Sequence, residues 1–130
     1  MAVRAEIAAG RAADVPALFF AADAVVVVQG APHVPFVGVF VGLEEISRFF
    51  GHLETAKAEL LQVDASLIDG DNVVTIGSYR YLVPATGARY RGGFALHTVI
   101  RDGKITRWAM YEDSWAVAQA FDATPHTDGT

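Results

Sequence analysis

The stretch RDGKITRWAMYED, residues 101–113, decides the fold prediction because it joins a tight turn to a strand. Asp102-Gly103 between two extended runs is a strong short-range signal for a β-hairpin. The residues after the turn form a half-apolar, half-polar strand that includes Trp108, Met110 and Glu112. The stretch therefore predicts a last strand that pairs antiparallel with the segment before it.

The second half of the chain repeats this pattern of long strands and short turns. Strands are predicted at residues 59–68, 73–83, 89–100 and 104–113. The connections DGDN at 69–72, PATG at 84–87 and RDG at 101–103 have hairpin turn chemistry. Ser114 then begins a short helix, SWAVAQAF, and a loose tail is expected from about residue 122. These segments predict an antiparallel meander followed by one helix.

The first half is helical and contains one short strand. Helices are predicted at residues 2–9, 13–20 and about 41–53, a strand at 24–28, and a proline-containing loop, GAPHVP, at 30–35. In the third helix the apolar residues fall on one face: Leu43, Ile46, Phe49, Phe50 and Leu53. Helices followed by a meander indicate the α+β class, with a sheet that curls around the helices and buries an apolar interior. Residues 1–130 are expected to form a single domain.

Composition excludes several classes of function. The 130 residues include no Cys, so disulfides, thiolate nucleophiles and Cys-ligated zinc are excluded. A net charge of −5 argues against general nucleic-acid binding, which needs a basic surface. The apolar runs are too short to span a bilayer, and the start lacks the pattern of a signal peptide, so a cytoplasmic protein is expected. The four His show no metal-ligand spacing, and neither a metal nor another cofactor is predicted.

Four segments together resemble a known superfamily: DVPALFFAADAVVVV, VPFVGVFVGLEEISRFF, DGDNVVTIGSYR and RDGKITRWAMYEDSWAVAQAF. Their order and spacing are similar to the nuclear-transport-factor-2-like superfamily, and within it to the SnoaL-like and ketosteroid-isomerase-like branch, over about residues 8–121. The resemblance implies a cone-shaped, strongly bent antiparallel sheet packed on N-terminal helices around an apolar pocket. It also implies a homodimer through the outer face of the sheet. The first helix is shorter than is usual in the family.

The family's catalytic positions hold apolar residues in this chain. By resemblance, the ketosteroid isomerase acids and tyrosine match Val3, Val27 or Val28, and Leu96. The SnoaL-like cyclase positions match Leu96 and Met110, and the limonene-epoxide-hydrolase positions match Gly77, Tyr79 and Met110. None of the three catalytic sets is therefore complete, and a shared fold does not carry a function.

Strand alternation then identifies candidate site residues, once Met110 is placed on the pocket face by the resemblance. The predicted ligand-binding set is Val28, His33, Tyr81, Tyr90, Phe94, Leu96, Trp108 and Met110. Glu112 is the one carboxylate predicted on the inner face of the meander, and Tyr79 is predicted to be catalytic with it. Tyr79 and Tyr81 are both predicted hydrogen-bond donors to a ligand carbonyl, and either of them is expected beside Glu112. An acid in an apolar pocket has a raised pKa and can act as a general acid or base.

Each candidate has a structural alternative. Glu112 lies near a strand end, where charges are usually solvated or paired with Arg. The tyrosines can simply pack with their hydroxyls at the rim. His33 sits in the proline-containing loop and is either a ligand contact or a surface His, whereas Asp113 is expected to cap the last helix.

Three functions remain open from the sequence. The first is a cofactor-independent isomerase, cyclase or dehydratase that acts on a small apolar carbonyl compound through Glu112. The second is a binding module that holds a small hydrophobic molecule without turning it over. The third is a dimerisation scaffold with a vestigial cavity. The apolar residues at Leu96 and Met110 favour the last two, and the sequence alone does not identify the substrate.

Overall fold

Three helices and six strands make up residues 15–123, the part of the chain that this computed structural model describes. In chain order they are α1 Val15–Phe19, β1 Phe20–Val28, β2 Gly38–Val41, α2 Gly42–Leu53, β3 Lys57–Asp69, β4 Asn72–Val83, β5 Ala88–Arg101, β6 Lys104–Glu112 and α3 Ser114–Asp122. The α+β class is confirmed. The helix predicted at residues 2–9, and with it the short first helix, lies outside the described residues. No helix in residues 15–123 has the length and apolar character needed to cross a membrane.

The six strands form one strongly curved sheet in the order β2-β1-β6-β5-β4-β3. Strands β3 to β6 are the predicted antiparallel meander, with each strand paired to the next along the chain. Three features differ from the sequence prediction. Strand β1 begins at Phe20, four residues before the predicted strand at 24–28 and at the last residue of the predicted helix at 13–20. Strand β2 was not predicted, and it pairs antiparallel with β1, where Gly38 lies opposite Val28. Strand β1 pairs parallel with β6, so the sheet is antiparallel except at this junction.

The backbone confirms the hairpin turn predicted at Asp102-Gly103. Asp102 and Gly103 have φ values of 51° and 76° between the paired residues Arg101 and Lys104. Two successive residues in the left-handed region match the twist of the flanking strands, which is why Asp-Gly favours this turn. The turn fixes the β5–β6 register and thereby decides which residues of β6 face inward.

The sheet bends where β3 and β4 meet. The β3–β4 register shifts at two places, between Ala58 and Leu60 and between Val63 and Ala65. Such bulges bend a strand and increase its twist. Gly77 of β4 lies beside the second bulge, and a Cβ built on it would stand 2.0 Å from the backbone oxygen of Gln62. The close approach of β3 therefore requires glycine at this position, and it helps to curl the sheet around the interior.

Helix α2 closes the inner face of the sheet. Its predicted apolar face is confirmed, because Ile46, Phe49 and Phe50 are fully buried. The ring centroids of Phe49 and Trp108 are 5.2 Å apart in an edge-to-face arrangement. Each buried aromatic side chain of this size contributes roughly 2–3 kcal/mol by the removal of apolar surface from water. Helix α2 is therefore anchored directly on β6.

Helix α3 covers one end of the sheet. Its N-terminus is capped as predicted, because the Asp113 carboxylate accepts a hydrogen bond of 3.0 Å from the Ala116 backbone N–H. The Thr86 hydroxyl, in the β4–β5 turn, donates a 2.7 Å hydrogen bond to the Ala120 carbonyl. Phe121 then packs edge-to-face on Phe36, with ring centroids 5.5 Å apart. These contacts hold α3 and the 30–37 loop together at the end of the interior.

Candidate functional site

A cavity of about 660 Å³ lies between α2 and the inner face of the sheet. This volume is in the range of small-molecule sites in proteins. Eight of the nineteen described lining residues are aromatic: Phe36, Phe49, Phe50, Phe94, Trp108 and three tyrosines. The charged residues that line it within the described chain are Glu54, Lys57 and Glu112. The cavity therefore suits an apolar molecule that meets few polar groups.

The inner face of β6 contributes Trp108, Met110 and Glu112 to this cavity, as strand alternation predicts. Their partners on β5 are Thr98, Leu96 and Phe94, in that order. All predicted ligand-binding residues except His33 line the cavity: Val28, Tyr81, Tyr90, Phe94, Leu96, Trp108 and Met110. The structure thus brings the set together, while the role of each residue in binding a ligand remains a prediction.

Glu112 and Tyr79 form the central polar contact of the cavity. The Tyr79 hydroxyl, carried by β4, donates a hydrogen bond to Oε1 of Glu112 on β6. Phe94 lies between them on β5, opposite Glu112 in register, and its ring stacks on Tyr79 with centroids 5.6 Å apart. Within residues 15–123, Glu112 makes no ion pair with a Lys or Arg. The carboxylate is therefore held by a neutral donor in apolar surroundings.

This environment shifts the protonation of Glu112. Burial raises the pKa of the Glu112 carboxyl because water no longer stabilises the charged form, and the hydrogen bond from Tyr79 offsets part of that rise. A carboxyl with a raised pKa is a better proton acceptor once it is ionised. The geometry thus gives Glu112 the chemical character that an acid or base needs.

The tyrosines around Glu112 are held in their neutral form. Burial, and to a smaller extent the nearby Glu112 carboxylate, raise the pKa values of Tyr79, Tyr81 and Tyr90. The hydroxyls of Tyr81 and Tyr90 make no hydrogen bond to any other described residue. Both rings line the cavity. These two hydroxyls are therefore free donors for the polar group of a ligand.

Trp108 lines the cavity and also packs on α2. Its indole Nε1 is buried and has no hydrogen-bond partner in the described chain. The indole packs edge-to-face on Phe49 and Phe50, with interplanar angles of 66° and 69°. Aromatic packing of this kind holds the ring in place.

The prediction that His33 contacts a ligand is not supported by the structure. His33 is exposed and does not line the cavity. Its Nε2 atom lies 2.9 Å from the carbonyl oxygen of Ala118 in α3. In the same loop Val34 and Phe36 turn inward and are buried, which directs His33 outward. Its contact is therefore structural and helps to join the loop to α3.

Sequence reasoning missed the mouth of the cavity. Glu54, Lys57 and Leu61 line it from the α2–β3 connection and from β3. Strand β3 is exposed along almost its whole length and shows no alternation of buried and exposed residues. The sequence does alternate here, with apolar residues at 61, 63, 65 and 67 and polar residues at 62, 64 and 66, and this pattern could have pointed to the face that includes Leu61. In the described part of the chain, no cluster of three His, Cys, Asp or Glu side chains is arranged to hold a metal ion.

Comparison with known proteins identifies the family. The sequence profile of the SnoaL-like domain matches residues 2–108. No curated protein sequence matches the chain.

Among solved structures, a nuclear-transport-factor-2-like protein from Burkholderia xenovorans LB400 is similar, with 17% identity and a TM-score of 0.79 over 92% of this chain and 89% of that one. TerC, co-crystallised with polyporic acid, has 22% identity and a TM-score of 0.66 over 80% and 81% of the two chains. A protein with a ketosteroid isomerase-like fold from Catenulispora acidiphila DSM 44928, in complex with trimethylamine, has 21% identity and a TM-score of 0.67 over 88% and 87%. The family profile and the shared fold lead to one conclusion: this chain belongs to the SnoaL-like domain family of nuclear-transport-factor-2-like proteins.

Proposed function

We propose that this protein binds a small apolar carbonyl compound in its cavity and moves a proton on it without a cofactor. The observation that carries this proposal is the Glu112 carboxylate, held by Tyr79 inside an aromatic cavity and paired with no cation among residues 15–123. Perturbed carboxyl groups in clefts are frequent proton-transfer groups. The reaction would be of the isomerase, cyclase or dehydratase type.

Glu112 acts as the base in this proposal. It removes a proton from the carbon next to the ligand's carbonyl, and the C–H electron pair moves into the carbonyl to give an enolate. Tyr81 or Tyr90 donates a hydrogen bond to the enolate oxygen, where the negative charge develops. Protonated Glu112 then returns the proton to another carbon in an isomerisation. In a cyclisation the enolate carbon attacks a second carbonyl, and protonated Glu112 gives its proton to the alkoxide that forms. No step in this sequence needs an oxidant or reductant.

Tyr79 is assigned a different role from the one that the sequence suggested. Its hydroxyl is engaged by the Glu112 carboxylate and is therefore not free for the substrate. We assign Tyr79 as a positioning residue that orients the carboxylate and favours its ionised form. The donors to the substrate are then the unengaged hydroxyls of its neighbours.

Two relatives support small-molecule binding by this fold. One was crystallised with polyporic acid and the other with trimethylamine. Both share less than a quarter of their residues with this chain. They therefore support the capacity of the fold to bind small molecules, and the ligand of this chain is inferred from its own residues.

A binding module without turnover is the second candidate. It is favoured by the apolar side chains of Leu96 and Met110, which line the cavity at the positions where the family's catalytic acids stand. In this case Glu112 would only orient a bound molecule.

The test is exchange of carbon-bound protons for deuterium. Small cyclic and aromatic ketones are incubated with the protein in D₂O, and loss of the α-proton signal is followed by NMR. Glu112→Gln should reduce the rate by about 10²- to 10⁴-fold, the usual contribution of a general base. Glu44→Gln, which removes an exposed carboxylate from α2, is the matched control and should exchange like the wild type.

The outcomes separate the two candidates. Ketones that bind with no exchange above the buffer rate would favour the binding module. Exchange by Glu112→Gln at the wild-type rate would show that Glu112 is not the base.

A further inference from the structure

The aromatic rings beside Glu112 are arranged as two walls at right angles. The Tyr79 and Phe94 rings are nearly parallel, at 6°, and so are the Tyr81 and Tyr90 rings, at 13°. Between the two pairs, Tyr79 lies at 79° to Tyr81 and at 90° to Tyr90. The centroid distances of these four ring pairs are between 5.1 and 5.7 Å. The four rings therefore enclose a corner, which we call the aromatic corner.

A carboxylate stands at this corner, and no Lys or Arg of residues 15–123 pairs with it. Glu112 shares its hydrogen bond with Tyr79, and its charge acts on Tyr81 and Tyr90 as well. The described side chains that interact with it in these ways are thus phenol groups. Counted over the described lining residues, two carboxylates, Glu54 and Glu112, and one ammonium, Lys57, leave a net charge of −1 when all three are ionised.

We propose that the aromatic corner with Glu112 binds an organic ammonium cation that carries apolar substituents. This inference concerns the site of the proposed function and adds a second ligand class to it. Ring faces attract cations through their quadrupole, and the attraction grows when the site excludes water. Glu112 supplies the opposite charge that the buried cation needs.

The chemistry of the corner favours an alkylated ammonium over a bare one. A primary ammonium has three N–H donors, and the acceptors within the described corner are the Glu112 carboxylate, which already accepts a hydrogen bond from Tyr79, and the hydroxyl oxygens of Tyr81 and Tyr90. Burial of such a group is favourable only if each of its three donors meets one of these oxygens. A tertiary or quaternary ammonium has one donor or none, and its alkyl groups pack on the rings. The rest of the cavity, walled by Phe49, Phe50 and Trp108, accommodates an apolar body.

The test compares a cation with its neutral carbon isostere. Binding of benzyltrimethylammonium and of neopentylbenzene is measured by ligand-observed NMR or by calorimetry. The wild type should prefer the cation. Glu112→Gln should weaken the binding of the cation by tenfold or more. It should leave the affinity for neopentylbenzene within about twofold of the wild-type value, because the shape of the site is kept. Glu44→Gln should change neither affinity.

A second variant probes the rings and protects the test against misfolding of the first. Tyr81→Leu removes one ring of the corner and should lower the affinity for the cation at least threefold more than the affinity for the isostere. Tyr81→Phe keeps the ring and should retain the preference for the cation. Equal binding of the cation by Glu112→Gln and the wild type would overturn the inference. Binding of neopentylbenzene alone by the wild type would also overturn it.

The two proposals fail separately. Ketone exchange without binding of benzyltrimethylammonium removes this inference and leaves the proposed function. Binding of the cation with no exchange on any ketone removes the proposed proton transfer and leaves the aromatic corner as a cation site.

Discussion

Gly77→Ala tests the structural basis of the curved sheet. A Cβ at this position would lie 2.0 Å from the Gln62 backbone oxygen and 3.0 Å from Cε1 and Cζ of the Phe94 ring. Contacts below 3.0 Å do not occur for real Cβ atoms, so something must move by about 1 Å or more. The obstructing atom is backbone, and β3 cannot yield by a rotamer change. Strand β3 must therefore move away from β4, or the Phe94 ring must leave its stack on Tyr79.

The expected cost follows from this geometry. Overpacking of a well-packed site costs about 1–3 kcal/mol. Replacement of Gly by Ala also lowers the conformational entropy of the unfolded chain. Where the folded backbone tolerates Ala, this stabilises a protein by about 0.4–1 kcal/mol. The local loss of a β3–β4 hydrogen bond adds about 1 kcal/mol to the cost. We expect a net decrease of about 2 kcal/mol in the free energy of unfolding.

The assay is urea unfolding followed by tryptophan fluorescence. Gly92→Ala is the matched control, since Gly92 lies on the neighbouring strand opposite Tyr79 and a Cβ there meets no atom within 4 Å. This control should be unchanged or slightly more stable. If Gly77→Ala were as stable as Gly92→Ala, the close approach of β3 at this point would not be what requires glycine.

Four further predictions concern the site and the surface. Glu112→Gln should be more stable than the wild type at neutral pH, because burial raises the pKa of Glu112 above 4.5. The stability that Glu112 contributes is therefore present below pH 4.5 and is lost as pH rises through the folded-state pKa. Unfolding measured across pH should show that the difference in stability between the two proteins vanishes in acid. Tyr79→Phe removes the one hydrogen bond that a described residue donates to that carboxylate, so the pKa of Glu112 should rise further and the acid limb of the exchange rate should move to higher pH. A lower rate with an unmoved limb would indicate a structural role only. The outer sheet face carries Ile76 and Tyr111, which are 39% and 52% exposed and lie on either side of Ala95, so we expect a dimer through this face. Light scattering should give a molar mass of about twice 13.9 kDa for the wild type and the monomer mass for Ile76→Lys. No appreciable turnover of a 3-keto-Δ5-steroid or of limonene oxide is expected, because the family's acid positions are apolar here; robust turnover of either would refute the alignment.

The sequence by itself determined the parts of the fold that depend on local patterns. The apolar face of α2, the Asp102-Gly103 turn and the Asp113 cap each follow from residues a few positions apart. Strand alternation also has a local period of two, which is why Trp108 and Glu112 could be assigned to the inner face. The family resemblance supplied the remaining step, which was the choice of the inward face.

The tertiary structure decided the contacts between distant strands. The sequence left either Tyr79 or Tyr81 as the partner of Glu112, and the curvature of the sheet selects Tyr79, which reaches from β4 across β5 to β6. The small strand β2 and the parallel β1–β6 pair were missed because their pairing depends on long-range register, which no local pattern specifies.

The orientation of loops and edges was also beyond the sequence. His33 points outward because its neighbours in the loop fill the interior. The apolar–polar alternation of β3 from Leu61 to Leu67 marks one face, but the strand is exposed along almost its whole length within the described chain. The candidate site is therefore predictable as a set of side chains on one face. Its central contact and its right-angled walls depend on how the sheet bends, and the close approach of strands at Gly77 appears only when the chain is folded.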